Sequence, residues 1–380
     1  MWRPHGPPCP RLQVLHLLRC SKRRHRQILC ELRHSTRLTT VAFLTTSYPS
    51  SPEDPSGHFV RAEALALTRR GFRVHVFAPA PFSLDPGIFA HPCGGTALLS
   101  WPGVVTRLRQ HPARAFALPP FALRALAGLR RLCPDVLHAH WALPCAWPLG
   151  FLASPPTLHI TFHGADVRLL LSLPAPVRVA LMAQLLRAQL LRFVASSLLD
   201  TLASALPPRM ALALQERACI EPPQVIVEPR IPPLPLPWEH YAVTLGRLIS
   251  SKRTELAIQA VAQVPGWGLV MVGDGPEQGT LERLAQVLLP GRHRFTGRLG
   301  RPEALGYLAG ASVLLHPSAE EAAPTVVLEA IALGIPVVTC GAGDTARWAE
   351  TQEGLEIVEP TATALAQAKI FRKENSPAHQ

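Results

Sequence analysis

The densest chemical signal lies in the stretch HPSAEEAAPTVVLEAIALGIPVV, where seven residues separate Glu321 from Glu329. Pro324 fits the first turn of a helix, where a missing N–H costs nothing. Glu321 then falls in the loop ahead of that helix, and Glu329 sits well inside it. The same helix start offers the free N–H groups of Thr325 and Val326 to an anion. Two carboxylates beside a cluster of donors suit a polyhydroxylated, phosphorylated ligand. The plainer alternative is a solvated glutamate pair on an ordinary helix.

Two further constellations carry chemistry. In LGRLISSKRTELAIQA, Arg247 and Lys252 stand at a strand end and at the start of the next helix. Two cations there suit a diphosphate, Arg by its planar fork and Lys as a point charge. An ordinary surface pair is the alternative. Nearby, VGDGP closes another strand with a tight turn at Gly273, which allows a close backbone approach to a ligand. The third constellation is HAHWALPCAWPLG with TFHGADV. His138 and His140 alternate onto one face of a strand. A metal there needs a third ligand, so no metal site is expected. His163 ends the next strand beside Gly164, placed to hydrogen-bond a ligand hydroxyl or a developing charge. Asp166 opens the following helix, either as a cap or as a ligand contact.

The elements that must position these residues alternate along the chain. VAFLTT is a short apolar run of the buried parallel-strand type. A Pro-, Ser- and Gly-rich loop follows, then HFVRAEALALTRRG as helix with a stop at Gly71, then FRVHVFAPA as strand. The pattern continues with helix FALRALAGLRRLCP, strand DVLHAH, helix PCAWPLGFLAS and strand TLHITFH. Helix APVRVALMAQLLRAQLLR, strand FVASS, helix LLDTLASAL and strand QVIVEP complete the first half. RIPPLPLPW is stiff and extended, a linker by composition. A second alternation begins at His240, with strands YAVTLG, WGLVMVGDG, HRFTG, ASVLLHP and IPVVTC. Helices SKRTELAIQAVAQV, EQGTLERLAQVLL, RPEALGYLAG and PTVVLEAIALG lie between them. The expected class is α/β, with two doubly wound parallel sheets in tandem. The domains read as a basic, disordered extension at 1–40, an N-terminal domain at 41–230, a Pro-rich linker at 231–239, a C-terminal domain at 240–360 and a short tail at 361–380.

Composition narrows the function. The chain has 380 residues, 48% of them hydrophobic, and a formal charge of +12. Disorder is excluded as the main class. The charge invites nucleic-acid binding, but its placement argues against that partner. Residues 1–40 hold nine Lys or Arg against Glu31 alone, and residues 86–134 hold six Arg and no acid. The remainder is slightly acidic. The eight Cys make no CxxC pair and match no zinc spacing. They read as reduced thiols of a cytoplasmic protein. No apolar run is long enough to span a membrane. No GxGxxG follows a strand and no Walker A motif occurs, so a dinucleotide cofactor is not expected.

Taken together, these residues resemble family-4 retaining glycosyltransferases of the GT-B fold, over about four fifths of the chain. The Glu-x7-Glu element ending LEAIALGIPVV carries most of the likeness. GRLISSK and GDGP support it, and HAHW followed by FHGADV is similar to the N-terminal half of bacterial members. The resemblance implies two Rossmann-like domains facing a cleft and a nucleotide-diphosphate sugar as donor, with no cofactor and no metal. It implies that Glu329 holds the ribose hydroxyls, Glu321 contacts the donor sugar, and Arg247 with Lys252 neutralises the diphosphate. It places His163 near the reacting carbon and Gly57 against donor phosphate and acceptor. The implied reaction is glycosyl transfer with retention to a glycan, a lipid-linked acceptor or a small molecule.

Departures from the pattern keep rivals open. AAPT stands where many members have Gly-Phe-Gly, and CGAGDTARWAE lacks the usual Gly-Gly-x-x-Glu. The long final helix of the family looks truncated or replaced. The alternatives are a non-catalytic nucleotide-sugar-binding protein and a same-fold epimerase or hydrolase. Residues 104–131, basic and apolar without an acid, suit an anionic acceptor or the inner face of a membrane, or else form an ordinary amphipathic helix.

Overall fold

The computed structural model describes residues 39–51, 53–81, 85–99, 107, 111–147, 149, 157–227 and 236–374. Nearly all of the 1–40 extension, residues 231–235 of the expected linker, 375–380 of the tail, and 104–106 and 108–110 of the basic segment lie outside them. The chain divides into two compact units at Gln224 and Val225, except that Glu321–Pro324 group with the N-terminal unit.

The N-terminal unit runs β1 (Thr40–Leu44), α1 (His58–Arg69), β2 (Arg73–Ala78), β3 (Ile88–Pro92), α2 (Leu118–Leu132), β4 (Val136–His140), β5 (Thr157–Phe162), α3 (Ala165–Ser172), α4 (Ala175–Leu185), β6 (Leu190–Phe193), α5 (Ser196–Ser204), α6 (Pro208–Arg217) and β7 (Ala218–Ile220). Its strands form one parallel sheet in the order β3-β2-β1-β4-β5-β6-β7. Val41 pairs with Val74 on one side and Val136 on the other. All five residues of β1 are buried, as they are in β4, because helices cover both faces of such a sheet. One apolar cluster holds Leu44, Phe77, Leu137, Ile160 and Phe193, and the other holds Phe43, Tyr48, Val74 and Val76.

The C-terminal unit runs β8 (Tyr241–Leu245), α7 (Thr254–Ala262), β9 (Gly268–Val272), α8 (Gln278–Leu288), β10 (His293–Gly297), α9 (Arg301–Ala309), β11 (Val313–His316), α10 (Thr325–Leu333), β12 (Val337–Thr339), α11 (Thr345–Ala349), β13 (Leu355–Ile357), α12 (Ala362–Ala366) and α13 (Lys369–Glu374). Its parallel sheet has the order β10-β9-β8-β11-β12-β13, the doubly wound arrangement. Two short helices, α12 and α13, close this core. Leu365, Ala368 and Phe371 are buried in it, and Phe371 meets Trp267 edge to face at 4.6 Å.

Several expected elements are corrected. The helix expected through Arg192 ends at Leu185, and Leu190–Phe193 is strand, three residues earlier than expected. A leucine run buried on all sides has no period that separates helix from strand. QVIVEP forms no strand over its described residues 224–227. Pro222 and Pro223 cannot donate to a ladder, so pairing stops at Ile220. The helix expected at PCAWPLGFLAS is one irregular turn, Ala142–Ala146, broken at Leu143, with 148 and 150–156 outside the described residues. The helix expected from Ser251 begins at Thr254 behind a 3-10 turn, because Arg253 is left-handed at φ 50°. Among the described residues, no helix is long and apolar enough to cross a membrane.

Candidate active site

In the C-terminal unit the strand order reverses between β8 and β11. Ligands of such sheets bind outside the carboxyl ends at this point. Residues 244–248, Lys252 and Thr254 from one side and 315–318 from the other line a cleft there, with about 280 Å³ of open volume. Arg247 is exposed at its mouth. The Lys252 side chain runs along Gly246, its Cε 3.6 Å from the place a Cβ would take. The Ala319 N–H donates to the Ser251 carbonyl at 2.8 Å, which ties the loop after β11 to the turn that carries Lys252. Two cations and the carboxyl ends of two strands therefore meet at one cleft.

Gly273 has a local reason to be glycine. Its φ is 134°, and a Cβ would lie 1.9 Å from the Gly246 carbonyl oxygen. The close approach observed here is between the loops after β8 and β9. The Leu248 N–H donates to the Asp274 carbonyl at 2.8 Å and fixes the same contact.

Pro324 directly precedes α10, Thr325 and Val326 form its first turn, and Glu321 is half-buried in the loop ahead. Glu329 is the fifth residue of that helix and only 3% exposed. The solvated glutamate pair therefore fails for Glu329. Its Oε1 lies 2.6 Å from Nη1 of Arg301, the first residue of α9. Arg301 also donates from Nη2 to the Ile226 carbonyl at 3.0 Å. Sequence reasoning missed Arg301, because a partner 28 positions away on another helix leaves no spacing signal.

In the N-terminal unit the order reverses between β1 and β4. Gly57 and His163 lie at the strand ends around this second switch point. Gly57 has φ 63° directly ahead of α1, and a Cβ would lie 2.1 Å from the Ser47 carbonyl oxygen. Only glycine lets the helix start so close to the loop after β1. His163 follows β5, with its ring 4.5 Å from that of Trp141 and 5.0 Å from that of Phe59. Trp141 itself is held at φ 69°, a region that bulky residues seldom adopt and that clusters at functional sites. Burial, and then the charge of Arg192, pushes the His163 ring down to about 3.

Asp166 resolves as the organiser of this loop. It is 1% exposed. Its Oδ1 accepts from the N–H groups of His163, Gly164 and Val167, each at 3.0 Å. Its Oδ2 accepts from Ala142 at 2.8 Å, which binds the end of β4 to the end of β5. Burial pushes its carboxyl up to about 6 against these donors.

Behind His163, His138 and His140 do share a face, their rings stacked at 4.3 Å. Glu63 of α1 adds the third group that a metal would need. Arg192 occupies that carboxylate instead, through an ion pair of its Nη2 with Oε2. Burial opposes ionisation there, but Arg192 and then His138 hold the Glu63 carboxyl well below the usual range. A guanidinium in contact repels a cation, so the arrangement fits a hydrogen-bonded cluster better than a metal centre.

Comparison with known proteins bears on the family and the fold. A family model for glycosyl transferases group 1 matches residues 236–378, and one for glycosyltransferase family 4 matches residues 56–208. TuaC of Bacillus subtilis, provisionally a teichuronic acid biosynthesis glycosyltransferase, is 26% identical over 88% of this chain and 89% of its own. LpsE of Rhizobium meliloti, a lipopolysaccharide core glycosyltransferase, is 37% identical over 26% of this chain and 28% of its own. Among solved structures, sucrose-phosphate synthase of Thermosynechococcus elongatus superposes with a TM-score of 0.67 at 20% identity, covering 90% of each chain. HepE of Anabaena, bound to UDP and glucose, superposes at 0.59 with 18% identity, over 89% of this chain and 90% of that one.

Proposed function

Because this chain belongs to the group 1 and family 4 glycosyltransferases, with their GT-B fold, we propose that it takes its sugar from a nucleotide-diphosphate donor and transfers it with retention. The observation that carries this reading is the cleft between β8 and β11, where Arg247 and Lys252 stand at the strand ends. A leaving diphosphate gains charge as the glycosidic bond lengthens. Two cations and the N–H groups of Thr325 and Val326 would relieve that charge without a metal. Gly273 and the Gly246 turn shape the backbone on which the phosphates would rest. Glu329, aligned by Arg301, is the proposed partner of the ribose hydroxyls, and Glu321 of the donor sugar. His163 is the proposed partner of the sugar at its reacting carbon, and Gly57 of phosphate and acceptor. UDP in the HepE structure supports a nucleotide donor by analogy.

The names of TuaC and LpsE point to a cell-surface polysaccharide or lipid-linked glycan as acceptor class. An anionic membrane face fits this. In the turn at Pro112–Ala117 and in α2, Phe116 is 81% and Leu123 67% exposed, beside the exposed Arg124, Arg130 and Arg131. Apolar side chains rimmed by arginines suit an anionic lipid surface. Flotation with anionic liposomes should show binding that weakens with salt and with Phe116→Ser. Binding that is absent at low salt would remove the membrane from the reading.

The donor is tested by incubating the protein with a panel of nucleotide sugars and following release of nucleoside diphosphate. One donor should be turned over, and Glu329→Ala and Lys252→Ala should each abolish that turnover. A near-normal rate in either variant would break the site assignment.

A further inference from the structure

Beneath His163 lies a closed ring of buried polar groups that the proposed transfer does not use. Arg192 donates from Nε to Thr161 Oγ1 at 2.9 Å. Thr161 Oγ1 lies 2.6 Å from His138 Nε2, and His138 Nδ1 lies 3.2 Å from Glu63 Oε1. The ion pair of Glu63 with Arg192 completes the circuit. One direction around it lets every donor meet an acceptor: Arg192 to Thr161, Thr161 to His138, and His138 to Glu63. The ring pins His138, and the His140 ring stacks on His138 with an interplanar angle of 19°. Phe43 packs edge-on beside both rings, 4.9 Å from His140 and 5.2 Å from His138. His140 Nδ1 then lies 3.2 Å from Nε2 of His163.

The proton between His140 and His163 can belong to either ring. Burial holds His140 well below its ordinary value, so both rings are uncharged at neutral pH. If His163 donated from Nε2, a neutral His140 would carry its own proton on Nε2. That atom is buried and has no hydrogen-bond partner among the described residues. A buried orphan N–H is the rarer and costlier defect, and a bare ring nitrogen is the lesser one. His140 therefore donates from Nδ1, and His163 accepts at Nε2.

The geometry points to His140 as the residue that sets the tautomer of His163, so that His163 carries its proton on Nδ1. His163 Nδ1 makes no hydrogen bond to any described residue, so it is available to an oxygen of the ligand as a donor. This rests on the reading of His163 as a substrate contact. His140 is a positioning residue, held through His138 by the ring of Glu63, Thr161 and Arg192. A wrong tautomer disables a histidine whose placement is otherwise intact.

The test uses the full-length protein labelled with 15N-histidine and long-range proton–nitrogen correlation spectra. His163→Ala identifies the His163 resonances. The expected wild-type spectrum shows His163 protonated at Nδ1 and bare at Nε2; protonation at Nε2, or an even mixture, would overturn the inference. His140→Phe should convert His163 to a tautomer mixture. It should also lower kcat on the donor found in the screen roughly 10- to 100-fold, with little change in KM. His140→Asn, whose amide nitrogen can take the place of Nδ1, should restore both. A His140→Phe protein with an unchanged spectrum and unchanged kcat would also overturn it. If His140→Phe does not fold, the wild-type and His140→Asn spectra decide. Should His163→Ala turn over donor normally, the catalytic reading of His163 falls, and the tautomer result still stands on the spectrum.

Discussion

At the scale of single residues, Arg301 shows how the C-terminal unit pairs a carboxylate where water is scarce. Glu329 is buried, and Arg301 meets its Oε1 at 2.6 Å. Removing one partner of a buried ion pair costs more than the pair contributes, because the other charge is left behind. Arg301→Met should therefore lower stability by about 3 kcal/mol, toward the low end because 17% of the Arg301 side chain is exposed. The double variant Arg301→Met with Glu329→Gln should lose less than Arg301→Met alone, since it buries no charge. Urea denaturation of the wild type and the two variants checks this. An Arg301→Met protein as stable as wild type would mean the pair carries no net energy. Glu329 was legible in the sequence through its spacing from Glu321. Arg301 was not, because charge pairing across helices is written in the fold and not along the chain.

At the scale of elements, the glycines at strand ends separate two jobs that look alike in sequence. Gly273 and Gly291 both have positive φ, at 134° and 71°. A Cβ on Gly291 meets nothing within 4 Å, whereas on Gly273 it meets the Gly246 carbonyl at 1.9 Å. Gly291→Ala should cost about 1–2 kcal/mol, from backbone conformation alone. Gly273→Ala adds overpacking and should cost about 3 kcal/mol in all. It should also raise the donor KM, because the contact it pushes on carries Arg247 and Lys252. Thermal unfolding and donor titration of both variants test this, and equal costs would contradict the loop-to-loop contact. Strands such as Tyr241–Leu245 and Gly268–Val272 were legible because short apolar runs end there in glycine turns. The strand at Leu190–Phe193 was hidden in a leucine-rich run, and its neighbour Ala218–Ile220 is too short to show a pattern. Which strand ends converge depends on the order of strands in the sheet, which no single segment encodes.

At the scale of the whole molecule, the formal charge of +12 hides a set of histidines that refuse protons. Burial, and then His91, pushes His75 down to about 4, and His163 is pushed to about 3. His91 and His140 are lowered as well, all from an ordinary value of 6.5. Below pH 6.5 the unfolded chain binds protons at these positions and the folded chain does not, so stability falls as pH drops toward 4. Asp166, raised to about 6 from 3.8, works in the opposite direction between those two values. It is one carboxyl against four imidazoles, and lowered carboxyls such as Glu63 and Asp54 add to the loss at the acid end. The midpoint of thermal unfolding should therefore fall by several degrees between pH 7 and pH 5. His75→Gln should make that fall shallower, because glutamine keeps a hydrogen bond for His91 and takes up no proton in either state. Scanning calorimetry of both proteins at half-unit steps measures the two slopes. A midpoint that holds constant or rises toward pH 5 would show that the rings are protonated in the fold, and with them the positive charge that the buried cluster behind His163 is built to exclude.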